Sequence, residues 1–168
     1  MQLMELSGIE MLQKVMEGKL PPPSMAVTMQ MTLVRVEKGL AVFQARAGEQ
    51  HLNPMGGVHG GFAATVLDSA TGCAVHSMLG PGDSYGTVDL NVKLLKPVPA
   101  GVVLQAEARV LHCSRRLGVA DALLNDAQGC VYAHGTASCL ISRAPRQDET
   151  AVPGHRPRRW TPTADRIN

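Results

Sequence analysis

The chain has 168 residues, of which 45% are hydrophobic and 18% charged, a balance typical of one globular domain with a sizeable core. The net charge is +2, but residues 143–168 hold six arginines against three carboxylates, a surplus of +3, so residues 1–142 carry −1. We therefore expect no nucleic-acid partner and, because no apolar run reaches ~20 residues, no membrane partner.

The two ends of the chain and its cysteines suggest where the protein resides. The N-terminus lacks the basic region and the cleavage site of a secretory signal peptide, and the four cysteines show no C-x-x-C pairing. We therefore expect reduced thiols and a cytoplasmic location. Because residues 143–168 are rich in proline and arginine, we expect a disordered tail after a single domain that spans residues 1–142.

Local patterns predict a short helix followed by two strands. Ser7 and Glu10 have the S-x-x-E spacing of a capping box, so a short amphipathic helix is predicted to begin there. Pro21–Pro23 would stop it. Alternating apolar and polar residues predict a strand that begins at Val27, and a return strand is predicted at Leu40–Ala47.

The middle of the chain predicts a long buried helix. A glycine-rich loop at His51–Gly57 is followed by an apolar segment that continues to Leu79. Four more strands are predicted after it, at residues 87–94, 102–113, 117–125 and 131–141. Hairpin-like links favour an antiparallel sheet, and the sheet must cover the helix, so we expect a two-layer α+β arrangement.

Asp68 is the one formally charged residue between Glu49 and Asp83. A carboxylate in an apolar setting is costly unless it is paired, hydrogen-bonded or chemically used. Helical geometry places it on a stripe of small residues, which indicates the close approach of a backbone or a ligand. This stripe consists of Gly61, Ala64, Asp68, Gly72 and Val75.

Two glycines stand at the predicted start of this helix. Free N–H groups and the helix dipole favour a negative charge beside Gly60 and Gly61. An oxyanion-binding helix end, with a carboxylate two turns further along, is an arrangement suited to acyl transfer. The alternative is that Asp68 only hydrogen-bonds a neighbouring element.

Residues 51–61 read HLNPMGGVHGG and are followed by Leu67-Asp68-Ser69-Ala70. They resemble the pattern N-x-x-G-x-x-H-G-G, with an acidic residue seven positions later, of hotdog-fold acyl-CoA thioesterases of the phenylacetate-pathway (PaaI-like) family. The segments TVDLNV, KPVPAG and AHGTA extend the resemblance over about residues 7–142.

The resemblance implies a fold and an assembly. The fold is the hotdog, a curved antiparallel sheet of about six strands wrapped around one long central helix, with a short N-terminal helix. The assembly is a homodimer, often paired into a homotetramer, with active sites between subunits. No cofactor or metal is expected, because coenzyme A is part of the substrate.

The resemblance also implies roles for five residues. The Gly60 N–H would polarise the thioester carbonyl, and Asp68 of the partner subunit would act as general base or nucleophile. Asn53 would position the water or the thioester, His59 would support the loop, and Thr87 would help to orient the water. Asn53 as a turn residue and Thr87 as an ordinary strand threonine are the alternatives.

Three more residues are predicted to contact substrate. Gly61 adjoins Gly60, and Arg115 and Arg116 lie on a predicted hairpin turn, where their cations could meet the phosphates of coenzyme A. The alternative for the two arginines is a solvated turn.

The predicted function is hydrolysis of a medium-chain or aromatic acyl-CoA to the free acid and CoA; nine methionines fit an adaptable pocket wall. One alternative is an enoyl-CoA hydratase or dehydratase of the same fold. One branch of that group carries an aspartate two residues before the Asn-Pro pair, where this chain has His51. A second alternative is a non-catalytic acyl-CoA-binding regulator.

Overall fold

The computed structural model describes residues 5–145. Its helices are α1 (Gly8–Met16), α2 (Ser24–Thr28) and α3 (Gly60–His76), and Glu49–His51 forms a single 3₁₀ turn. Its strands are β1 (Met31–Glu37), β2 (Leu40–Arg46), β3 (Ser84–Leu94), β4 (Val103–Cys113), β5 (Leu117–Asn125) and β6 (Val131–Ser142).

The six strands form one sheet in the order β1-β2-β4-β5-β6-β3, and every neighbouring pair is antiparallel. Short hairpins join β1 to β2, β4 to β5 and β5 to β6. The strand after the central helix behaves differently, because β3 pairs with β6 at the edge of the sheet and not with its neighbours in sequence. The predicted antiparallel sheet is confirmed, but only part of it is built from sequential hairpins.

The sheet wraps around α3, whose apolar side chains form the centre of the core. Most of the helix circumference is buried, including Phe62, Val66 and Leu67. The helix approaches β5 so closely that a Cβ on Gly118 would lie 2.5 Å from Cγ1 of Val75. This two-layer α+β arrangement confirms the predicted curved sheet around one long helix.

The N-terminal helix also follows the prediction. The Ser7 hydroxyl accepts a hydrogen bond from the Glu10 N–H, while the Glu10 carboxylate accepts one from the Ser7 N–H. The Gly8 N–H donates to the Leu79 carbonyl at 3.0 Å. This hydrogen bond joins the start of α1 to the segment that follows α3.

The strand predicted from Val27 is wrong at its start, because residues 24–28 form α2. The Pro23 carbonyl accepts the N–H groups of Ala26 and Val27, so these groups are used in a helical turn and not in a strand ladder. Gln30 then adopts a positive φ of 48°, which ends the turn before β1 begins at Met31. Alternation of apolar and polar residues over so short a segment did not distinguish a strand from a short helix.

The first two residues of the predicted tail contact the domain. Arg143 donates from Nη1 to Oδ2 of Asp83 at 2.7 Å, and the Ala144 N–H donates to Oδ1 of Asp83 at 2.9 Å. Both residues are therefore attached to the domain. The remainder of the predicted tail, residues 146–168, lies outside the described residues. Within residues 5–145, no helix is long and apolar enough to span a membrane.

Candidate active site

The N-terminus of α3 is capped by His59. This residue has φ −64° and ψ 136°, and its Nδ1 accepts the Gly61 N–H at 2.9 Å. The Phe62 N–H donates to the His59 carbonyl at 2.9 Å. His59 therefore organises the first turn of the helix, and the Gly61 N–H is used in this cap.

The N–H of Gly60 has no hydrogen-bond acceptor within residues 5–145. It lies beside a cavity of about 270 Å³ whose walls are Val58, Gly60 and residues 94–98. A Cβ on Gly60 would lie 2.6 Å from Cδ1 of Leu94, so a side chain there would meet this wall. A free N–H at a positive helix end can donate to an oxyanion.

Asn53 shapes the loop that leads to this helix. Its Oδ1 accepts the N–H groups of Met55 at 2.9 Å and Gly57 at 3.2 Å, and its own N–H donates to the Gly57 carbonyl at 2.7 Å. These contacts are those of a turn residue, which was the alternative to a role for Asn53 in positioning the water or the thioester. Its side-chain oxygen is occupied within the loop.

Asp68 and Thr87 come together from different elements. The Thr87 hydroxyl donates to Oδ1 of Asp68 at 2.9 Å, which joins edge strand β3 to the middle of α3. Both side chains line a cavity of about 610 Å³. A carboxylate bonded to a hydroxyl at the wall of a large cavity can hold and deprotonate a water molecule.

The large cavity is mostly apolar. It lies between α1, the segment leading to β1, the start of the sheet and the Asp68 side of α3. Its apolar walls come mainly from the N-terminal part of the chain and include Leu12, Met16, Leu20, Pro22, Met25, Met31, Leu33 and Phe43. The methionines predicted to form an adaptable pocket wall are therefore partly found there.

Within one chain, Gly60 and Asp68 do not share a cavity. They are eight residues apart on α3, about 12 Å along the helix axis. Gly60 borders the smaller cavity and Asp68 the larger one, and no lining residue belongs to both. One subunit therefore does not bring the N–H donor and the carboxylate together.

Arg115 and Arg116 lie far from Gly60 in the same chain. Their turn precedes β5, where Gly118 packs on Val75 near the C-terminal end of α3. That end is about 22 Å from Gly60 along the helix. Their predicted contact with the coenzyme A phosphates stays a prediction.

Two other candidates for chemistry are engaged elsewhere. His51 accepts the Gly48 N–H through Nδ1 at 2.9 Å and lies 3.0 Å from the Thr28 carbonyl through Nε2, so its ring holds backbone segments together. Burial and the nearby Asp68 carboxylate raise the pKa of the Cys73 thiol to about 12, which keeps it protonated. Within residues 5–145, no three His, Cys, Asp or Glu side chains gather as metal ligands.

Three residues near these cavities escaped the sequence analysis. Tyr85 and Ser69 line the large cavity with Asp68, and Lys96 lines the small cavity with Gly60. The Lys96 ammonium lies 3.1 Å from Sγ of Cys130. Ser69 directly follows Asp68 and could have been noticed; the placement of Tyr85 and Lys96 depends on the pairing of β3 with β6.

Comparison with known proteins gives a consistent result. A family model described as "Thioesterase superfamily" matches residues 55–132. The chain is 31% identical to acyl-coenzyme A thioesterase 13 of Homo sapiens over 107 residues, covering 62% of this chain and 74% of that protein. It is 41% identical to a putative esterase of Halobacterium salinarum over 68 residues, or 39% of this chain. It spans about half the length of that relative and of a second putative esterase, from Caenorhabditis elegans.

A solved structure supports the same relationship. It is a putative thioesterase, a phenylacetic acid degradation-related protein from Ralstonia eutropha JMP134, with a TM-score of 0.71 and 30% identity. The similarity covers 77% of this chain and 98% of that one.

Proposed function

This chain belongs to the thioesterase superfamily, and from that premise we propose that it hydrolyses the thioester of an acyl-CoA to the free acid and CoA. The observation that carries the proposal is the Asp68 carboxylate, hydrogen-bonded to Thr87 at the wall of a large apolar cavity. The cavity accepts the acyl group, and its mostly apolar walls favour a medium-chain or small aromatic one.

The reaction needs an activated water and a stabilised oxyanion. Asp68 removes a proton from a water held between its carboxylate and the Thr87 hydroxyl, and the water oxygen attacks the thioester carbonyl carbon. The Gly60 N–H donates to the carbonyl oxygen as it becomes negative, and one such donor contributes about 10²–10³ in rate in other acyl-transfer enzymes. The C–S bond then breaks, and the CoA thiolate takes up a proton.

A covalent route is also compatible with these groups. Asp68 would attack the carbonyl carbon and form a transient anhydride, which water then hydrolyses. Both routes give the same products.

The separation of Gly60 from Asp68 supports a site built by two subunits. Because about 12 Å separates them along one helix, the carboxylate that serves a given Gly60 comes from a partner chain. We accordingly propose a homodimer as the active unit, paired further into a cytoplasmic homotetramer as the family resemblance implies. Lys96, which lines the same small cavity as Gly60, is then a candidate cation for the coenzyme A end of the substrate.

The hydratase alternative receives no support from the loop. The residue at the expected aspartate position is His51, and both of its ring nitrogens face backbone groups. Incubation with an enoyl-CoA should leave the conjugated chromophore intact.

The test is a thiol-release assay over acyl-CoAs of different length and aromaticity, using wild type, Asp68→Asn and Asp121→Asn. Asp121 lies on β5, and its contact within residues 5–145 is with His134 at 4.0 Å, so it serves as the matched control. We expect a loss of about 10²–10⁴ in kcat for Asp68→Asn and none for Asp121→Asn. A folded Asp68→Asn protein with wild-type turnover would sink the proposal.

A further inference from the structure

The hydroxyl of Tyr85 is unusual because it lines a largely apolar cavity without a hydrogen-bond partner in residues 5–145. The side chain packs against α3. A Cβ on Gly72 would lie 2.9 Å from this oxygen, and the ring contacts that of His76 with centroids 5.4 Å apart. The small residue at Gly72, predicted to leave space for a ligand or a backbone, in fact accommodates this side chain.

Ser69 supplies a second unpaired hydroxyl at the same cavity. It lies three residues before Gly72, on the same face of α3. A serine inside a helix often donates to the carbonyl four residues earlier, but within the described part of the chain the Ser69 hydroxyl makes no hydrogen bond. Two hydroxyl-bearing side chains therefore line this cavity.

Most of the surrounding wall cannot hydrogen-bond to these groups. Leucine, methionine, proline and valine side chains from α1, α2 and the segment between them make up most of it. A polar group that faces such a wall is costly unless water or a ligand satisfies it. Pockets of this kind commonly use a few polar groups to fix the orientation of a bound molecule.

The Tyr85 hydroxyl stays a neutral donor at physiological pH. Burial raises the pKa of its phenol, and the neighbouring thiols of Cys73 and Cys139 and the Asp68 carboxylate raise it further. A neutral phenol can donate one hydrogen bond and also accept.

The position of the hydroxyl relative to Asp68 defines what it could contact. Gly72, which the phenol covers, lies one helical turn after Asp68, about 6 Å along α3. On β3, Tyr85 lies two residues before Thr87, so both side chains are directed to the same helix.

We propose that Tyr85, assisted by Ser69, selects acyl groups that carry a hydroxyl or carbonyl oxygen several atoms beyond the thioester. This inference rests on the proposed thioesterase function, because it takes the large cavity as the acyl site. Tyr85 is then a specificity-determining residue that contacts the acyl group and takes no part in bond breaking.

The expected selectivity arises because the two kinds of acyl group differ in whether they hydrogen-bond to the Tyr85 hydroxyl. An oxygen-bearing acyl group pairs with the phenol, whereas an unsubstituted chain displaces water and leaves the phenol unpaired. Sites that hydrogen-bond a substrate hydroxyl reject analogues without one more strongly than apolar pockets separate chains by a methylene. We expect a preference of about tenfold or more in kcat/KM.

The experiment compares ω-hydroxyhexanoyl-CoA with hexanoyl-CoA for wild type, Tyr85→Phe and Tyr132→Phe. Tyr85→Phe keeps the ring over Gly72 and removes only the oxygen. Tyr132→Phe is the matched control, because the Tyr132 hydroxyl donates to Oδ2 of Asp126 at 2.7 Å, away from the cavity.

Wild type and Tyr132→Phe should favour the hydroxylated thioester, mainly through a lower KM. Tyr85→Phe should bring the ratio close to one by raising KM for the hydroxylated substrate and lowering KM for hexanoyl-CoA. An equal loss on both substrates, an unchanged ratio, or no preference in wild type would overturn the inference and leave the thioesterase proposal standing. Absence of thiol release from every thioester would overturn both.

Discussion

The hydroxyl of Thr87 donates a 2.9 Å hydrogen bond to Oδ1 of Asp68. This bond links two elements that are adjacent only because β3 returns to the edge of the sheet beside β6. It holds one carboxylate oxygen in place and leaves Oδ2 without a hydrogen bond from the described residues. The lone pairs of the Thr87 oxygen can then accept a hydrogen bond from the same water that Oδ2 deprotonates.

Thr87→Val tests the function of this bond. Valine keeps the branched shape and removes the hydroxyl, so we expect kcat for acyl-CoA hydrolysis to fall roughly tenfold, about 1.4 kcal/mol. Thr87→Ser retains a hydroxyl and should keep most of the activity. Steady-state kinetics of both variants check this, and a Thr87→Val protein that keeps its activity while Thr87→Ser loses it would show that the methyl group, not the hydroxyl, matters.

Gly60→Pro tests the oxyanion donor. Proline removes the N–H and is favoured at the first position of a helix, and His59 at φ −64° and ψ 136° has the conformation that a residue before proline adopts. We expect kcat to fall by about 10²–10³ with the helix intact.

Gly60→Ala is the matched control for that variant, because it keeps the N–H but meets the same Leu94 side chain, 2.6 Å from the new Cβ. It should lose much less activity than Gly60→Pro. Circular dichroism measures the helix content of both variants, and the thiol-release assay measures their kcat. An equal loss of activity in the two variants would show that the contact with Leu94, and not the loss of the N–H, causes it.

Subunit mixing tests the composite site. Asp68→Asn and Gly60→Pro chains are each expected to be nearly inactive, but a heterodimer contains one site with an intact Gly60 and an intact Asp68. Because about 12 Å separates the two residues along one helix, activity should return only where chains pair. Co-expression with two affinity tags isolates the heterodimer. An inactive heterodimer would contradict a site shared between subunits.

Lys96→Gln tests the coenzyme A end of the substrate. Lys96 borders the cavity of Gly60, so loss of its charge should raise KM for an acyl-CoA roughly two- to fivefold, as expected for an exposed ion pair. KM for the corresponding acyl-pantetheine, which lacks the phosphates, should not change. Arg116→Gln is assayed in parallel, and a larger effect there would support the phosphate contact predicted for that turn.

Asp83→Asn tests the anchor of the chain beyond β6. Burial alone would raise the pKa of this carboxyl, but hydrogen bonds from Arg143, Ala144 and Gly80 and the Arg143 charge outweigh it and hold the pKa below its usual value. A lowered pKa stabilises the fold above the unfolded value, about pH 4, and this stability is lost as pH falls through the folded value.

We therefore expect Asp83→Asn to lower the free energy of unfolding by about 1–3 kcal/mol at neutral pH. The difference from wild type should shrink below about pH 4. Urea unfolding at several pH values measures it, with the exposed Asp89→Asn as control. A difference that does not depend on pH would show that the carboxylate charge is not involved.

Much of the fold could be predicted from local patterns, because alternation and capping are short-range properties. Residues 117–125 form β5 as predicted, and the capping box at Ser7 starts α1. The strand predicted from Val27 was wrong at its start, because the Pro23 carbonyl stabilises a helical turn that apolar alternation does not reveal. No local pattern indicated that β3 lies beside β6, since this pairing joins residues about 50 positions apart.

Some residues of the candidate site were also recognisable from local sequence, and others were not. Asp68 was noticeable as a lone charge in an apolar helix, and His59 and Gly60 stood at a recognisable helix start. Tyr85 carried no such signal, because tyrosine is common in strands. Only the structure shows that its side chain packs over Gly72. Arg115 and Arg116 were predicted from their charge and their hairpin turn, and their contact with the coenzyme A phosphates stays a prediction.

The sequence by itself determined that a long apolar helix with one carboxylate lies inside an antiparallel sheet, since burial and periodicity are written along the chain. Only the tertiary structure decided that Thr87 meets Asp68, that Tyr85 covers Gly72, and that Gly60 and Asp68 border different cavities. The physical reason is that these relationships arise from strand order and helix packing, which bring together residues whose local sequences carry no record of one another.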